Sequence, residues 1–190
     1  MQLKGSRTEK NLLAAFAGES QARNRYTFAA DVARREGYEQ IANLFIETAD
    51  NEREHAKRFF KYLEGGMTEI TATYPAGVIG STAENLRAAA EGEHEETVAI
   101  YPEMARVALE EGFDEIAQQF EEIAKVEAWH EKRYRALLAN VEGGTVFKKA
   151  DKVLWKCGVC GYIHEGNEPP VTCPACKNGK KFFEVFSENW

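Results

Sequence analysis

Glu52-Arg53-Glu54-His55 and Glu127-Ala128-Trp129-His130 are one pattern, Glu-x-x-His, written twice in strongly helical sequence. Residues three apart on a helix share a face, so each pair points a carboxylate and an imidazole in the same direction. The flanking residues show which direction that is. Ile41, Phe45, Thr48, Glu52, His55, Phe59 and Tyr62 step alternately by four and three, and so do Ile116, Phe120, Ile123, Glu127, His130, Tyr134 and Leu137. This is the inward seam of a helical bundle. A lone carboxylate among apolar seam residues is costly to bury, so its position calls for a partner. Upstream of each pair stands a mid-helix glutamate, Glu19 for the first and Glu93 for the second. Two Glu-x-x-His pairs with two further Glu on four helices form the ligand set of a carboxylate-bridged di-iron or di-manganese centre. Taken singly, each Glu reads as a solvated helix residue and each His as a satisfied core residue. The duplicated order of the set argues against that reading.

Four helices are expected, over about 6–36, 38–63, 82–111 and 113–141. Gly37 and Gly112 break each pair, Gly65-Gly66 and Gly143-Gly144 close the second and fourth, and Ser81 with Glu84 fits a capping box. The non-helical stretch after Gly66 predicts a long crossover that sets the third helix parallel to the second. The halves repeat: Glu36-Gly37, Ile41-Ala42, Phe45, Glu52, His55, Lys57 and Arg58 recur 75 residues later, with Tyr38 matched by Phe113. Tyr26 and Tyr101 keep that offset, but Gly18-Glu19 and Gly92-Glu93 match at 74. One extra residue therefore lies between Glu93 and Tyr101. An insertion inside a helix predicts a π-type turn there.

Glu96 adds a seventh candidate ligand, one turn after Glu93 on the same face; the alternative is a solvated Glu beside the site. Tyr26 and Tyr101 read either as hydrogen-bond donors to ligand carboxylates or as ordinary core tyrosines. Gly18 and Gly92 read either as close helix packing or as space for a small ligand. His94 and Glu95 fall off the ligand face.

All four cysteines lie in the tail, as Cys157-x2-Cys160 and Cys173-x2-Cys176. Without an export signal, such paired units predict a tetrathiolate metal site rather than disulfides. Spacing alone slightly favours zinc; a neighbouring redox centre makes iron the better functional sense. Trp155, Tyr162, Phe182 and Phe183 are candidates to shield it, and His164 reads as a surface residue. The expected organisation is a bundle over 1–144, a linker over 145–151 and a small β-rich metal domain over 152–190. The 190 residues carry a net charge of −7, which argues against nucleic acid as a partner. No apolar run is long enough for a membrane span, and the N-terminus lacks a signal-peptide core, so a cytoplasmic location is expected.

Over its whole length the chain resembles the rubrerythrins. The match is carried by 18–26 (GESQARNRY), 52–58 (EREHAKR), Glu93-x-x-Glu96, Glu127-x-x-His130-Glu131-Lys132-Arg133, Cys160-Gly161-Tyr162 and Cys173-Pro174-Ala175-Cys176. The twelve-residue spacing between the cysteine pairs is shorter than in free-standing rubredoxins, and Lys177 stands where a glycine often follows the last cysteine. The resemblance implies an all-α ferritin-like four-helix bundle with a long crossover and a C-terminal rubredoxin-like domain. It implies a di-iron peroxidase that reduces hydrogen peroxide to water, with two ferrous ions supplying both electrons. It implies one iron in the tetracysteine site, for which zinc is a possible substitute. By resemblance Glu52 and Glu127 bridge the irons, Glu19 binds one, and Glu93 and His130 bind the other. His55 binds the first iron when reduced and yields to Glu96 when oxidised. The implied partners are an electron donor (rubredoxin or an NAD(P)H-dependent reductase) and a second copy, in a homodimer or larger. The competing readings are a ferritin-like ferroxidase that handles iron and a non-catalytic scaffold with zinc in the tail.

Overall fold

The computed structural model describes residues 2–190. Helix α1 spans Arg7–Glu36 and α2 Glu39–Phe60; α3 spans Thr82–Glu95, α4 Tyr101–Glu110 and α5 Asp114–Glu142. Between α3 and α4 the chain stays helical but widens into a π segment, Glu96–Ile100, which absorbs the inserted residue where the broken repeat places it. Helix α3 opens with the anticipated capping box, Ser81 and Glu84 bonding each other's backbone N–H. Helix α1 closes on Gly37 in the left-handed region (φ 87°), which bends the chain tightly into α2.

Two cross-bundle contacts fix the helix directions. Tyr26, late in α1, meets Glu93 in α3, and Glu19, earlier in α1, meets Tyr101 at the start of α4. The third helical rod therefore runs antiparallel to α1. Because α1 and α2 form a hairpin, that rod is parallel to α2, and the stretch 64–80 is a crossover as the sequence predicts. Glu52 lies near His130, and His55 near Glu127, so α2 and α5 are antiparallel as well. This is the ferritin-like four-helix arrangement.

The seam residues supply the interior. Ile41, Phe45, Phe59, Phe120, Ile123 and Tyr134 are all buried. They fall into two apolar clusters, one around Tyr26, Phe45, Leu86 and Tyr134, the other around Leu12, Phe59, Tyr101 and Phe120. Between these clusters sits a polar layer of buried glutamates.

The tail forms a three-stranded antiparallel sheet in the order β2-β1-β3: β1 Val153–Cys157, β2 Ile163–Gly166 and β3 Phe183–Val185. Its core is Trp155, Cys157, Cys173 and Phe183, with the Trp155 Nε1–H donating to the Gly166 carbonyl at 2.9 Å. It meets the bundle near the α1–α2 corner, where Lys181 Nζ lies 3.0 Å from Glu39. No helix among the described residues is long and apolar enough to cross a membrane.

Candidate metal centres

Glu52 and Glu127 face each other across the bundle centre, and each offers its two oxygens in opposite directions. Glu52 Oε2 and Glu127 Oε1 each lie 2.9 Å from His55 Nδ1. Glu52 Oε1 and Glu127 Oε2 lie 3.3 and 2.8 Å from His130 Nδ1. Glu19 Oε1 completes the first group at 3.8 Å from His55, and Glu93 Oε2 the second at 3.6 Å from His130. Two four-residue sets result, Glu19-Glu52-His55-Glu127 and Glu52-Glu93-Glu127-His130, each with ligand atoms mutually within 4.8 Å. The glutamates shared by the two sets are the two of the Glu-x-x-His pairs.

These atoms converge on common points rather than on each other. Glu19 Oε2, Glu93 Oε2, both oxygens of Glu52 and Glu127, and Nδ1 of both histidines are buried without a hydrogen-bond partner. The short N···O approaches to the imidazoles lack hydrogen-bond angles. A cluster of buried, unpartnered carboxylate oxygens is costly by itself, and cations among them remove that cost. The residues present therefore fit a pair of metal ions. Carboxylate oxygen with imidazole nitrogen suits iron and manganese, and two sites that share a pair of carboxylates suit a coupled pair of ions.

The protonation pattern expresses the same crowding. Burial pushes the Glu19 carboxyl well above the usual range, reinforced by the charges of Glu127, Glu96 and Glu52. Burial raises Glu93 to about 8, against the pull of His130. Burial works against charge on His55, yet Glu127 and Glu52 raise it to about 10; His130, under the same opposition, is raised to about 12. Glu127, though buried, is held below its ordinary value by His130 and His55.

Tyr26 and Tyr101 are buried, and both hydroxyls donate to site carboxylates. Tyr26 donates to Glu93 Oε1 at 2.5 Å, and Tyr101 donates to Glu19 Oε1. Each tyrosine thus serves the glutamate of the other half of the repeat. Of the seven candidate ligands, Glu96 alone belongs to neither set. It is partly buried at the start of the π segment. His94 and Glu95 are exposed. The glycines answer to neither simple reading together: a Cβ on Gly18 would meet the Tyr74 ring at 3.6 Å, whereas one on Gly92 would meet nothing within 4 Å. His164 is half-buried rather than on the open surface.

Two side chains near the centre had no role in the sequence reading. Arg133 donates to Thr48 Oγ1 at 2.6 Å and to Glu47 at 2.5 Å, bracing α5 to α2. Arg25 points its buried Nε at no partner. Both lie inside the matched motifs, so their position was visible and their contacts were not.

In the tail the four sulfurs close on one another, Cys157–Cys176 at 3.8 Å and Cys160–Cys173 at 3.7 Å. A tetrahedral ion with sulfur ligands at ~2.3 Å sets its ligands about 3.8 Å apart. None of the four is in a disulfide. Gly161 and Lys177 follow the two Cys-x-x-Cys turns, both in the left-handed region, with φ of 78° and 64°.

Comparison with known proteins agrees with this geometry. Residues 10–138 match the family described as Rubrerythrin, and residues 155–184 match that described as Rubrerythrin, rubredoxin-like domain. The chain is 61% identical to the rubrerythrin of Porphyromonas gingivalis, over 99% of this chain and 94% of that one. It is 54% identical to the rubrerythrin of Nitratidesulfovibrio vulgaris, over 99% and 98%. A solved structure of fully reduced, all-ferrous nigerythrin superposes with a TM-score of 0.63 at 34% identity, covering 96% of this chain and 91% of that one.

Proposed function

This chain belongs to the rubrerythrin family and carries that family's di-iron carboxylate site and four-cysteine rubredoxin-like site, and we propose that it is a non-haem peroxidase that reduces hydrogen peroxide to water in oxidative-stress defence. One observation supports the reading above others: a buried pair of ligand sets sharing two carboxylates stands on the same chain as a four-cysteine, rubredoxin-like site. An iron-storing oxidase draws electrons from its substrate iron and has no use for the second site.

In this reading residues 1–144 carry the reaction, 145–151 link, and 152–190 relay electrons. Glu52 and Glu127 would be shared between two iron ions, Glu19 and His55 would hold one, and Glu93 and His130 would hold the other. Glu96 would replace His55 as a ligand when the centre is oxidised. Bound iron supplies the two electrons that, with two protons, convert hydrogen peroxide to two waters. Tyr101 and Tyr26 fix the orientation of Glu19 and Glu93 and hold a proton at each Oη. Burial, then the charge of Glu19 or Glu93, keeps these phenols protonated well above their ordinary range. Cys157, Cys160, Cys173 and Cys176 hold the iron that accepts electrons singly, from rubredoxin or an NAD(P)H-dependent reductase. The working assembly is a homodimer or larger, in which the tail of one copy serves the bundle of another.

The test is to reduce the iron-loaded protein anaerobically, add hydrogen peroxide and follow the rubredoxin-type absorbance. Rapid reoxidation is expected. Glu127→Ala should slow it beyond the roughly 10–100-fold that losing an outer hydrogen-bond partner costs. A reduced centre that peroxide leaves unchanged would end the peroxidase reading. Mineral formation from added ferrous iron would favour the storage reading instead.

A further inference from the structure

The duplication that sets out the ligands also builds a matching layer of side chains on each side of the centre. Tyr26, Phe45 and Tyr134 pack around one another, with ring centroids 5.2–6.1 Å apart. Tyr101, Phe120 and Phe59 do the same on the other side, at 5.0–5.9 Å. The members correspond at the offset of 75: Tyr26 to Tyr101, Phe45 to Phe120 and Phe59 to Tyr134. Because Glu52 meets His130 and His55 meets Glu127 on antiparallel helices, the seam residues one turn away pair up too. Thr48 shares a layer with Tyr134, and its counterpart Ile123 shares one with Phe59.

The two layers differ in their hydroxyls. The Phe59–Ile123 layer has that of Tyr101, donated to Glu19. The other layer adds two to that of Tyr26. Thr48 Oγ1 donates to the Leu44 carbonyl at 2.9 Å and accepts from Arg133 at 2.6 Å. Tyr134 Oη is fully buried and has no hydrogen-bond partner among the described residues. An unpartnered buried hydroxyl costs about 1–3 kcal/mol. Phe59 shows that the same layer packs with a phenyl ring, and Ile123 that it packs without a threonine. Two hydroxyls placed together on one side, where the repeat tolerates none on the other, point to a use beyond packing.

This layer also has a way to solvent. Arg133 is partly exposed and, with Asn51 and His130, lines a surface groove of about 460 Å³ between α2 and α5. Its guanidinium donates to Thr48 Oγ1, which places that hydroxyl just beneath the groove wall. A hydroxyl has one proton to give and two lone pairs to receive with, so Thr48 can turn from the Leu44 carbonyl toward Tyr134. The Tyr134 ring packs edge-on against Tyr26, whose own hydroxyl donates to Glu93 Oε1 at 2.5 Å. Hydroxyls thus lead from the groove to one carboxylate of the centre, on the Glu93–His130 side.

We propose that Tyr134, with Thr48, relays protons from the α2–α5 groove to Tyr26 and Glu93, so that the Glu93–His130 side is where protons enter. The inference rests on the peroxidase reading above. Turning one hydrogen peroxide into two waters consumes two electrons, drawn from the two ferrous ions, and two protons, drawn from solvent. Each hydroxyl of the relay passes its proton inward and regains one from the groove side, so the relay itself ends unchanged. Tyr134 acts through Tyr26 and does not touch the metal ligands' shared oxygens, which makes it a positioning residue.

The experiment mixes the anaerobically reduced, iron-loaded full chain with hydrogen peroxide in H2O and in D2O, for the parent, Tyr134→Phe, Thr48→Val and Thr48→Ser. Tyr134→Phe copies the residue that the repeat already accepts, so folding, iron content and the Mössbauer spectrum of the reduced centre should match the parent. Its oxidation by peroxide should slow about 100-fold, the lower end of what a positioned proton donor contributes. Its solvent isotope effect should rise, because proton delivery becomes the slow step; a purely structural tyrosine would not move that quantity. Thr48→Val should slow the reaction in the same way, and Thr48→Ser should restore it. In crystals of the iron-loaded parent, Tyr134 Oη should bond Thr48 Oγ1, or a water that also bonds Thr48 or Tyr26. A parent-like rate in Tyr134→Phe, a slower rate with the parent's isotope effect, equal behaviour of Thr48→Val and Thr48→Ser, or an unpartnered Oη in those crystals would overturn the proposal. If peroxide leaves the reduced parent unchanged, the peroxidase reading falls and the relay with it. A parent that reacts while the variants keep pace removes the relay alone.

Discussion

At the scale of single residues, the centre depends on where hydroxyls and oxygens point. The sequence places Tyr26 seven residues after Glu19, and Tyr101 eight after Glu93, so each tyrosine looks like company for its own glutamate. Spacing gives the face of a helix, not the neighbour that the face meets. Because α1 and the third rod are antiparallel, the hydroxyls cross over, Tyr101 to Glu19 and Tyr26 to Glu93. The convergence of these side chains was legible; this crossing was not, and it makes a specific prediction. Tyr101→Phe should weaken the iron held by Glu19 and His55, and Tyr26→Phe the iron held by Glu93 and His130, each by about 10–100-fold in affinity. Iron retained against a competing chelator, with the two ions distinguished by Mössbauer spectroscopy, checks it; loss of the same ion in both variants would contradict the pairing. A second residue-scale prediction concerns the tail. Lys177 adopts φ 64°, a conformation that costs an L residue roughly 1–2 kcal/mol and glycine almost nothing. Its Nζ donates to the Pro174 carbonyl at 2.9 Å, but this is an exposed bond of small worth. Lys177→Gly should therefore stabilise the metal-loaded tail by about 1 kcal/mol, read from the thermal loss of its absorbance. A loss of stability would mean that the lysine contact outweighs the backbone strain.

At the scale of elements, the duplication does more than repeat a ligand pair. Glu36 and Glu111 occupy equivalent places at the ends of their helices, and each reaches across to the start of a helix in the other half. Glu36 accepts from the Thr82 N–H at 3.1 Å, and Glu111 accepts from the Thr8 N–H and Oγ1 at 2.8 and 2.6 Å and from the Arg7 N–H at 3.2 Å. The first turn of a helix offers unpaired N–H groups and positive potential, so a carboxylate there acts as a cap. The Glu-Gly pairs were visible as helix ends, but their capping role was hidden because it joins residues 46 and 103 positions apart. Burial works against the Glu111 charge, yet these bonds with Thr8 and Arg7 hold its carboxyl down to about 2. A folded value below the unfolded one of about 4.3 means stability that is present above pH ~4 and lost as pH falls toward 2. Glu111→Gln should thus cost about 1 kcal/mol at pH 7, the usual worth of a cap, and the gap should close between about pH 4 and pH 2. Denaturant melts of the two proteins across that range provide the check, and a gap independent of pH would assign the loss to packing. The π segment is the opposite case, wholly legible from one number. Two repeats offset by 75 at one point and 74 at another require an inserted residue, and Glu96–Ile100 is where it is accommodated. Deleting Ala99 should restore regular α-helix and turn Tyr101 by about 100° relative to Glu93. Helix content by circular dichroism should hold while bound iron in the bundle drops from two ions toward one.

At the scale of the whole molecule, two units differ in what holds them together. The bundle has two apolar clusters above and below its polar layer, and its helices keep partners on several sides. The tail has a core of Trp155, Cys157, Cys173 and Phe183, in which two members are themselves thiolate ligands. Segments of about 40 residues seldom bury enough apolar surface to fold unaided, and a metal then supplies the missing free energy. The cysteine spacing made the ligand set legible, but not the ion, because zinc and iron accept the same tetrahedron and sulfurs 3.7–3.8 Å apart suit either. The ties between the units are peripheral: Lys181 lies 3.0 Å from Glu39, β3 and the turn at 180–182 lie against α2, and the Phe147 ring of the linker stacks on Tyr38 with centroids 6.2 Å apart. Cys173→Ser should therefore act on one unit alone. The near-ultraviolet signal of Trp155 and the tail's visible absorbance should disappear, since the indole is packed against the ligand cysteines. The helical far-ultraviolet signal should persist, and the bundle should melt within a few degrees of the parent, the shift expected when less than ~1 kcal/mol of exposed ion pairing is lost. Function should divide along the same line. Peroxide should still oxidise a bundle reduced chemically, while reduction by the donor protein should fall to the rate of direct encounter. If the bundle also loses its iron or its helices, the units are coupled far more strongly than these few contacts allow.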